Sequence, residues 1–224
     1  LSANNVSKIA GMLNGTSNFI LSNMEEGADF GPTLELAQKE GYAEPDPTFD
    51  VEGMDAAHKI GILSSLAFGT TLPPDDFYVE GISAIKKIDF KYAKEMGYTV
   101  KHLAVCKKNE NKIELRAHPV LIQENSYLAN LKSVRNGIEV ETDLLGILHI
   151  AGSGAGQEST ASGVVSDLDH LANSNINISQ SIKKNKSDLI DFLSLSFKYY
   201  FYIKAEDIPG VIASITSMFA EKKV

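Results

Sequence analysis

The segment between Glu44 and Lys59 holds a large excess of acidic side chains. It carries five carboxylates against one lysine and one histidine, and the acids are Glu44, Asp46, Asp50, Glu52 and Asp55. If several of them converge in a cleft, like charges roughly 4 Å apart repel by about 4 kcal/mol per pair at an effective dielectric of about 20. Such a cluster favours an external cation, either a metal ion or the ammonium group of a substrate.

Asp55 and Lys59 lie four residues apart, so a helix places them on one face with the acid in the favourable N-terminal position. The ordinary interpretation is an exposed ion pair that contributes about 0.3–0.5 kcal/mol. Here the pair follows a proline-stiffened acidic loop, on a helix whose other faces are apolar, and this context favours a cleft. A lysine held beside carboxylates in a cleft is a candidate for proton transfer.

The residue pattern argues against a metal site. Four oxygen-bearing residues alternate like the ligands of a calcium loop, namely Asp46, Thr48, Asp50 and Glu52. However, Val51 occupies the position where that loop needs glycine, and Ala57 occupies the position of its bidentate glutamate. The five histidines show no His-Glu-x-x-His spacing, and Cys106 is the only cysteine. We therefore predict no metal.

Gly15 and Thr16 lie where a predicted strand gives way to a helix. Backbone N–H groups at such a turn, together with the threonine hydroxyl, can bind an anion such as a substrate carboxylate. A simple helix N-cap explains the turn equally well when it is taken alone. An acidic pocket for an ammonium beside a helix N-terminus for a carboxylate suits an amino acid.

Periodicity in the first third of the chain predicts the elements that hold these residues. A strand covers residues 6–13, and a turn with a Thr or Ser N-cap leads into a helix that ends near Glu26. A second helix covers residues 32–41, after which two prolines stiffen a loop. We expect Asp50 to cap a largely buried helix that ends near Gly69.

Beyond Phe77 the pattern changes to strands separated by turns. Strands are predicted at residues 77–82, 98–106, 112–122, 137–142 and 144–151. Asn136-Gly137 has the composition of a hairpin turn, and a helix is predicted at residues 91–96. These elements predict an α+β fold, a mixed or antiparallel sheet with helices on one face.

The last third of the chain contains a glycine-rich segment, a helix, a linker and a second small unit. The glycines at 152–156 precede a helix at 160–171, and the Asn, Ser and Lys-rich residues 173–187 are typical of a linker. A strand at 197–203 and a helix through Phe219 follow. One strand and one helix cannot bury their own apolar face, so this unit needs a partner.

Composition excludes several classes of protein. With 43% hydrophobic residues, the 224-residue chain is not mainly disordered, and a formal charge of −8 without a basic stripe argues against a nucleic-acid partner. The longest apolar run, Ile60 to Phe68, is shorter than a membrane span. A single cysteine suits the reducing cytoplasm, where we expect the protein to act. Because the chain begins at Leu1 without a signal-peptide pattern, we expect it to be a piece of a longer protein.

Several motifs together resemble the homoserine dehydrogenase family. They are Asn14-Gly15-Thr16-Ser17-Asn18, Gly41-Tyr42-Ala43-Glu44-Pro45-Asp46-Pro47 with Asp50, Gly53, Asp55, Ala56 and Lys59, then His118-Pro119, and Gly152 to Gly156 with Thr160-Ala161-Ser162. The resemblance runs from about residue 5 to residue 172, and the 41–59 block is specific by itself. The tail, Asp207-Ile208-Pro209-Gly210-Val211 with Ile215 and Phe219, resembles the beginning of an ACT domain, an effector-binding module.

The resemblance implies an NAD- or NADP-dependent oxidoreductase that interconverts L-homoserine and L-aspartate 4-semialdehyde in threonine, methionine and isoleucine biosynthesis. By motif position, Lys59 resembles the lysine that exchanges a proton with the substrate oxygen, and Asp55 acts with it at the catalytic centre. Glu44 resembles the residue that binds the substrate amino group, and Asp50 completes the polar cluster.

Further pocket residues follow from the same motifs. Tyr42, Gly15 and Thr16 resemble substrate-binding positions, whereas Gly154 and Gly156 resemble the segment that meets the nicotinamide side of the cofactor. The resemblance also implies a homodimer or larger homo-oligomer, and a possible threonine effector at a complete ACT domain.

One departure from the family is the missing dinucleotide fingerprint. The family begins with a Rossmann domain carrying Gly-x-Gly-x-x-Gly, and the glycines at 152–156 lack that spacing. We therefore expect this chain to be inactive alone. We divide the chain into a substrate-binding and dimerisation domain (1–152), a segment returning to the nucleotide-binding domain (153–172), a linker (173–190) and a partial ACT-like domain (191–224).

A rival function from another class is a non-catalytic amino-acid sensor. In that case the acidic loop and the Asp207-Ile208-Pro209-Gly210 turn would bind ligands and signal through dimer contacts. Lys59 discriminates between the two functions, because a sensor does not need a proton donor.

Overall fold

The computed structural model describes residues 3–72, 77–154, 156–173 and 185–222. Its helices are α1 (Gly15–Glu25), α2 (Phe30–Lys39), α3 (Thr48–Val51), α4 (Met54–Phe68), α5 (Lys87–Glu95), α6 (Gln157–Asn173) and α7 (Val211–Lys222). Its strands are β1 (Val6–Met12), β2 (Thr70–Thr71), β3 (Tyr78–Val79), β4 (Tyr98–Asn109), β5 (Lys112–Gln123), β6 (Arg135–Thr142), β7 (Gly146–Ser153), β8 (Asn185–Lys186) and β9 (Asp188–Leu189). No helix of these described ranges is long and apolar enough to cross a membrane.

The centre of the fold is a mixed sheet in the strand order β3-β5-β4-β1-β6-β7, with β9 paired to β5. Neighbouring long strands run antiparallel, whereas the short strands β3 and β9 pair with β5 in parallel. The β4–β5 hairpin is in register from Tyr98 with Gln123 to Asn109 with Lys112. The α+β sheet predicted from the sequence is therefore confirmed.

Alternating residues of β4 separate two faces of the sheet, as the pleat requires. Val100, Ala104 and Cys106 face helices α1, α4 and α5, and they belong to cores that contain Ile20 of α1 and Ile60 of α4. Leu103 and Val105 face the opposite side, where the β5–β6 connection contributes Leu128 and Leu131. The helices thus cover one face, and the connection that contains the short 3-10 helix Leu128–Asn130 covers part of the other.

Several expectations about local structure are wrong, and neighbouring elements explain each difference. Asn136 and Gly137 lie inside β6 rather than in a turn, because both pair with β7 and Gly137 also pairs with β1. Helix α4 is only half-buried: Ile62 and Leu66 are 62% and 65% exposed, since the sheet covers one side of the helix alone. The strand expected at 77–82 shrinks to two residues.

Aromatic side chains of residues 192–197 pack against residues of the sheet. The Phe192 ring stacks on the Tyr78 ring with centroids 3.8 Å apart, and the Arg116 guanidinium lies 4.9 Å from the centre of the Phe197 ring. The strand expected at 197–203 is wrong, because these aromatic residues pack individually: the Tyr200 hydroxyl donates to Asp89 of α5 over 3.1 Å. The linker expected at 173–187 lies mostly outside the described residues.

Lys101 of β4 is a fully buried lysine, with 1% of its surface exposed. Its ammonium group donates to the Leu131 carbonyl over 2.9 Å and to Asn18 Oδ1 over 3.3 Å. The pKa of Lys101 is lowered from 10.5 to about 8, mainly by burial and to a smaller extent by the charge of Lys132, while Glu25 opposes the shift. The folded protein therefore binds this proton more weakly than the unfolded chain does.

This difference predicts a pH dependence of stability. Below about pH 8 both states are protonated and the cost of burying the charge is fully present; as pH rises from about 8 to 10.5, the folded state loses the proton first and the cost disappears. The difference in unfolding free energy between the native chain and Lys101→Met should therefore shift in favour of the native chain by up to about 3 kcal/mol as pH rises across this window. Urea unfolding at pH 7.5 and pH 10 measures it.

The exposed Lys108 of the same strand provides the matched control, and Lys108→Met should show no comparable change over that window. Tyrosine and cysteine titrations are common to all three proteins and cancel in the comparison. A difference between native chain and Lys101→Met that is constant with pH would contradict the burial argument.

Candidate active site

The site is built around the turn that joins β1 to α1. Asn14 caps α1, since its Oδ1 accepts a hydrogen bond of 2.7 Å from the Ser17 backbone N–H. The Thr or Ser cap expected from the sequence is therefore wrong. The other end of the same amide donates 2.7 Å to Asp50 Oδ1 and 2.8 Å to Asp55 Oδ2. One asparagine side chain thus orders the helix start and holds two carboxylates together.

Lys59 completes this cluster from α4. Its ammonium donates to Asp55 Oδ2 over 2.6 Å and to the Leu13 carbonyl over 3.0 Å. Leu13 directly precedes Asn14, the residue that caps α1. The lysine side chain is 44% exposed and its carboxylate partner 20% exposed. An ammonium has three hydrogens. Two are directed to protein acceptors, so the third can face the open side of the site.

Asp50 reaches the site by a route that the sequence did not indicate. It lies in α3, and the residue that caps α4 is Gly53, so the expected cap at Asp50 is wrong. Gly53 has φ of +83°, and a Cβ there would lie 2.8 Å from Nε2 of the buried His102. Only glycine permits this left-handed turn in so tight a space. Because Gly53 occupies the cap position of α4, the Asp50 carboxylate is not used as a cap and accepts a hydrogen bond from Asn14 instead.

The five acids of the 44–59 segment separate into distinct environments. Asp50 and Asp55 converge on Asn14, whereas Glu52 accepts a hydrogen bond of 2.8 Å from the Ser83 hydroxyl. Asp46 accepts from the hydroxyl and the backbone N–H of Thr48, and the hydroxyl contact is the main cause of its lowered pKa. The structure therefore concentrates two acids, not five, beside Lys59.

Thr16 attaches the acidic loop to α1. Its hydroxyl donates to the Tyr42 carbonyl over 2.6 Å, so that hydrogen is not available to a substrate carboxylate. The Tyr42 ring lies against Phe19 with centroids 5.1 Å apart and stays 40% exposed. The Glu44 side chain is exposed and makes no hydrogen bond or ion pair within the described ranges, while Gln38 donates to its backbone carbonyl.

The glycine-rich segment approaches the same turn from β7. Gly154 packs on Asn136 so closely that a Cβ would lie 1.9 Å from Asn136 Nδ2. The Asn136 amide in turn donates to the Leu13 carbonyl over 3.2 Å. Gly15 is adjacent, because a Cβ there would lie 3.6 Å from Asn136 Oδ1. The structure therefore brings Gly15 and Gly154 together around Asn136.

Sequence reasoning assigned no role to either asparagine side chain of the site. Asn14 had a usable signal, because an Asn three residues before Ser17 at a helix start is a typical N-cap. Asn136 had none, since its partners Leu13 and Gly154 are brought to it only by the pairing of strands.

Comparisons with known proteins identify relatives in sequence and in overall structure. Residues 1–168 match the sequence model of the homoserine dehydrogenase family. Homoserine dehydrogenases of Neisseria gonorrhoeae and Pseudomonas aeruginosa are 42% and 43% identical over the whole chain, which spans 54% of each relative. The crystal structure of a homoserine dehydrogenase from Thiobacillus denitrificans superimposes with a TM-score of 0.84 at 39% identity, covering 99% of this chain and 53% of that one.

The fold and these matches define the class of protein, an α+β chain similar in sequence and structure to part of a dehydrogenase. The chain belongs to the homoserine dehydrogenase family, and it spans about half the length of the curated relatives it matches. A hyperthermophilic archaeal homoserine dehydrogenase in complex with NADPH is similar to 79% of this chain, with a TM-score of 0.64 at 27% identity.

The glycine-rich segment has an exposed backbone and only small side chains. Residues 152–154 are exposed, and no side chain from 152 to 156 is larger than serine, so a flat ring can approach the backbone. Gly156 has φ of +112°, a conformation that glycine adopts readily, and α6 begins at the next residue. Among the described residues no group of three or more His, Cys, Asp or Glu side chains could hold a metal ion.

Proposed function

We propose that this chain supplies the substrate-binding and proton-transfer part of an NAD- or NADP-dependent homoserine dehydrogenase, which interconverts L-homoserine and L-aspartate 4-semialdehyde in threonine, methionine and isoleucine biosynthesis. The observation that carries the proposal is Lys59, held by Asp55 and the Leu13 carbonyl with one N–H hydrogen left over. This arrangement supports an enzyme over an amino-acid sensor, because ligand recognition alone does not need a proton donor.

In the proposed reaction, Lys59 is the general acid for reduction of the aldehyde. When bound, the reduced nicotinamide supplies a hydride to the carbonyl carbon of the substrate. Negative charge then develops on the carbonyl oxygen, and Lys59 donates a proton to it, directly or through water. In the reverse direction the neutral lysine accepts the hydroxyl proton of homoserine. Asp55 fixes the position of the ammonium.

Substrate recognition in this proposal uses the exposed side of the acidic loop. Glu44 has no protein partner among the described residues, so its carboxylate is free to bind the substrate ammonium. We assign Asp50, Tyr42, Thr16 and Gly15 to the same substrate site, in which the Thr16 hydroxyl holds the Tyr42 carbonyl against α1. Because the Thr16 hydroxyl donates to Tyr42, we assign Thr16 to holding the loop rather than to binding the substrate carboxylate directly.

Gly154 and Gly156 are the proposed contacts for the nicotinamide ring, and a separate nucleotide-binding domain holds the rest of the cofactor. The exposed apolar residues of α6 support packing of this helix against that domain; they are Val164, Val165, Leu168 and Leu171.

We further propose that the protein is a cytoplasmic homodimer or larger homo-oligomer. Residues 191–224 are in this proposal the beginning of an ACT-like domain whose complete form could bind threonine. A single cysteine, Cys106, which is buried, suits that compartment.

The test is to join this chain to the nucleotide-binding part of the Pseudomonas aeruginosa relative, which gives what we call the completed enzyme. It should reduce NADP or NAD when L-homoserine is added, whereas the 224-residue chain alone should not. Calorimetry of the chain with L-homoserine and with threonine distinguishes the proposed enzyme from the rival function, a non-catalytic amino-acid sensor. Binding of threonine without binding of homoserine would favour a sensor and oppose the proposal.

A further inference from the structure

Asn136 lies at the junction of three segments of the site. Its Nδ2 donates to the Leu13 carbonyl over 3.2 Å, and the same carbonyl accepts the Lys59 ammonium over 3.0 Å. Gly154 contacts the amide from the other side. A carbonyl oxygen has two acceptor sites, so the lysine and the asparagine can occupy both. Asn136 therefore shares one acceptor with the proposed proton donor.

The stability of the fold does not explain an asparagine at this position. Asn136 Oδ1 is buried and has no hydrogen-bond partner within the described part of the chain. Leaving a buried acceptor unpaired generally costs more free energy than one neutral hydrogen bond returns, and an apolar residue of the same size would avoid that cost. Such costs are typical of residues placed for function.

The orientation of the amide follows from its partner. The Leu13 carbonyl can only accept, so the nitrogen of Asn136 must face it and the oxygen must face away toward Gly15. If the hydrogen bond is lost, nothing else among the described contacts fixes the Leu13 carbonyl on the side opposite Lys59. Of the two acceptors of the Lys59 ammonium, only Asp55 would then still be held in a defined position.

We propose that Asn136 is a positioning residue for proton transfer: it fixes the Leu13 carbonyl, and through it the direction of the free N–H hydrogen of Lys59. The inference rests on the proposed function of Lys59 and deepens it. Asn136 sets the lysine relative to the segment at Gly154, against which the nicotinamide ring binds in that proposal. It touches neither substrate nor cofactor in this role.

A double-mutant cycle in the completed enzyme tests the proposal, with the single variants Asn136→Leu and Lys59→Ala and the combination of both. Asn136→Leu should lower kcat about tenfold, the rate equivalent of one hydrogen bond, and leave KM for the semialdehyde within about twofold. In the Lys59→Ala background the same substitution should cause no further loss, because the group it positions is gone.

Thermal unfolding and a matched control separate positioning from a structural effect. Asn136→Leu should unfold at the native temperature or above it, while Asn130→Leu, which removes an exposed amide of the β5–β6 connection, should leave kcat unchanged. Asn136→Ala gives a second variant with a smaller side chain and the same expected loss of kcat.

The outcomes are distinct for each proposal. If Lys59→Ala retains native kcat, the proposed function and this inference both fall. If Lys59→Ala loses activity but the asparagine substitution lowers kcat by the same factor in both backgrounds, only the inference is overturned. Unchanged kcat in Asn136→Leu and Asn136→Ala overturns it as well.

Discussion

Replacing Lys59 with alanine in the completed enzyme should lower kcat by about 10²–10⁴, the range typical of a general acid. The substrate oxygen would then have to take its proton from water, at a point where the alkoxide is forming. KM should change much less, because the lysine ammonium is already paired with Asp55 and the Leu13 carbonyl before substrate arrives. Steady-state kinetics in both directions provide the measurement.

The matched control for this prediction is Lys39→Ala, which removes an exposed lysine from the last turn of α2. It should retain native kcat. Removing Lys59 also leaves Asp55, whose side chain is only 20% exposed, without its counter-charge, so the unfolding temperature of the variant is measured alongside kcat to separate loss of activity from loss of structure. A kcat for Lys59→Ala within a few-fold of native would show that the assigned role is wrong.

The second large effect is expected at Glu44. Glu44→Gln should raise KM for L-homoserine by up to about tenfold, since it replaces a charge-assisted contact to the ammonium, which contributes roughly 1.5–3 kcal/mol, by a neutral one about half as strong. The effect on kcat should be small, because Glu44 has no contact with Lys59 or Asp55 among the described residues. The same enzyme assay, with homoserine varied at saturating cofactor, measures it.

Asp46→Asn is the control that makes this prediction specific. Asp46 lies two residues further along the same loop and is also exposed, but its carboxylate is already bonded to Thr48. The two variants change the charge of the loop equally. An equal rise of KM in both would indicate a general electrostatic attraction and would remove Glu44 from the binding site.

Asn14 explains how two carboxylates, Asp50 and Asp55, can lie close together next to Lys59. Its amide donates one hydrogen to Asp50 and one to Asp55, so the two acids share a neutral donor instead of facing each other directly. Lys59 then neutralises Asp55. In the proposed function, Asp50 and Glu44 supply the negative charge that attracts the substrate ammonium.

Local sequence rules were sufficient for much of the fold and for part of the site. Runs of strand-forming residues bounded by turn residues identified β1, β4 and β5. The spacing of Asp55 and Lys59 indicated a pair on one helix face, and they form an ion pair of 2.6 Å. Both results depend only on residues a few positions apart.

The tertiary structure decided which of the acids meet and which asparagines join them. Asp50 and Asp55 converge because Asn14, far away in sequence, lies where β1 ends against α3 and α4. Strand pairing places Asn136 between Leu13 and Gly154, although its sequence is typical of a turn. Contacts over more than a hundred residues depend on sheet register, which local propensity does not encode. The lysine and its acid were therefore readable from the sequence by itself, whereas the groups that position them were not.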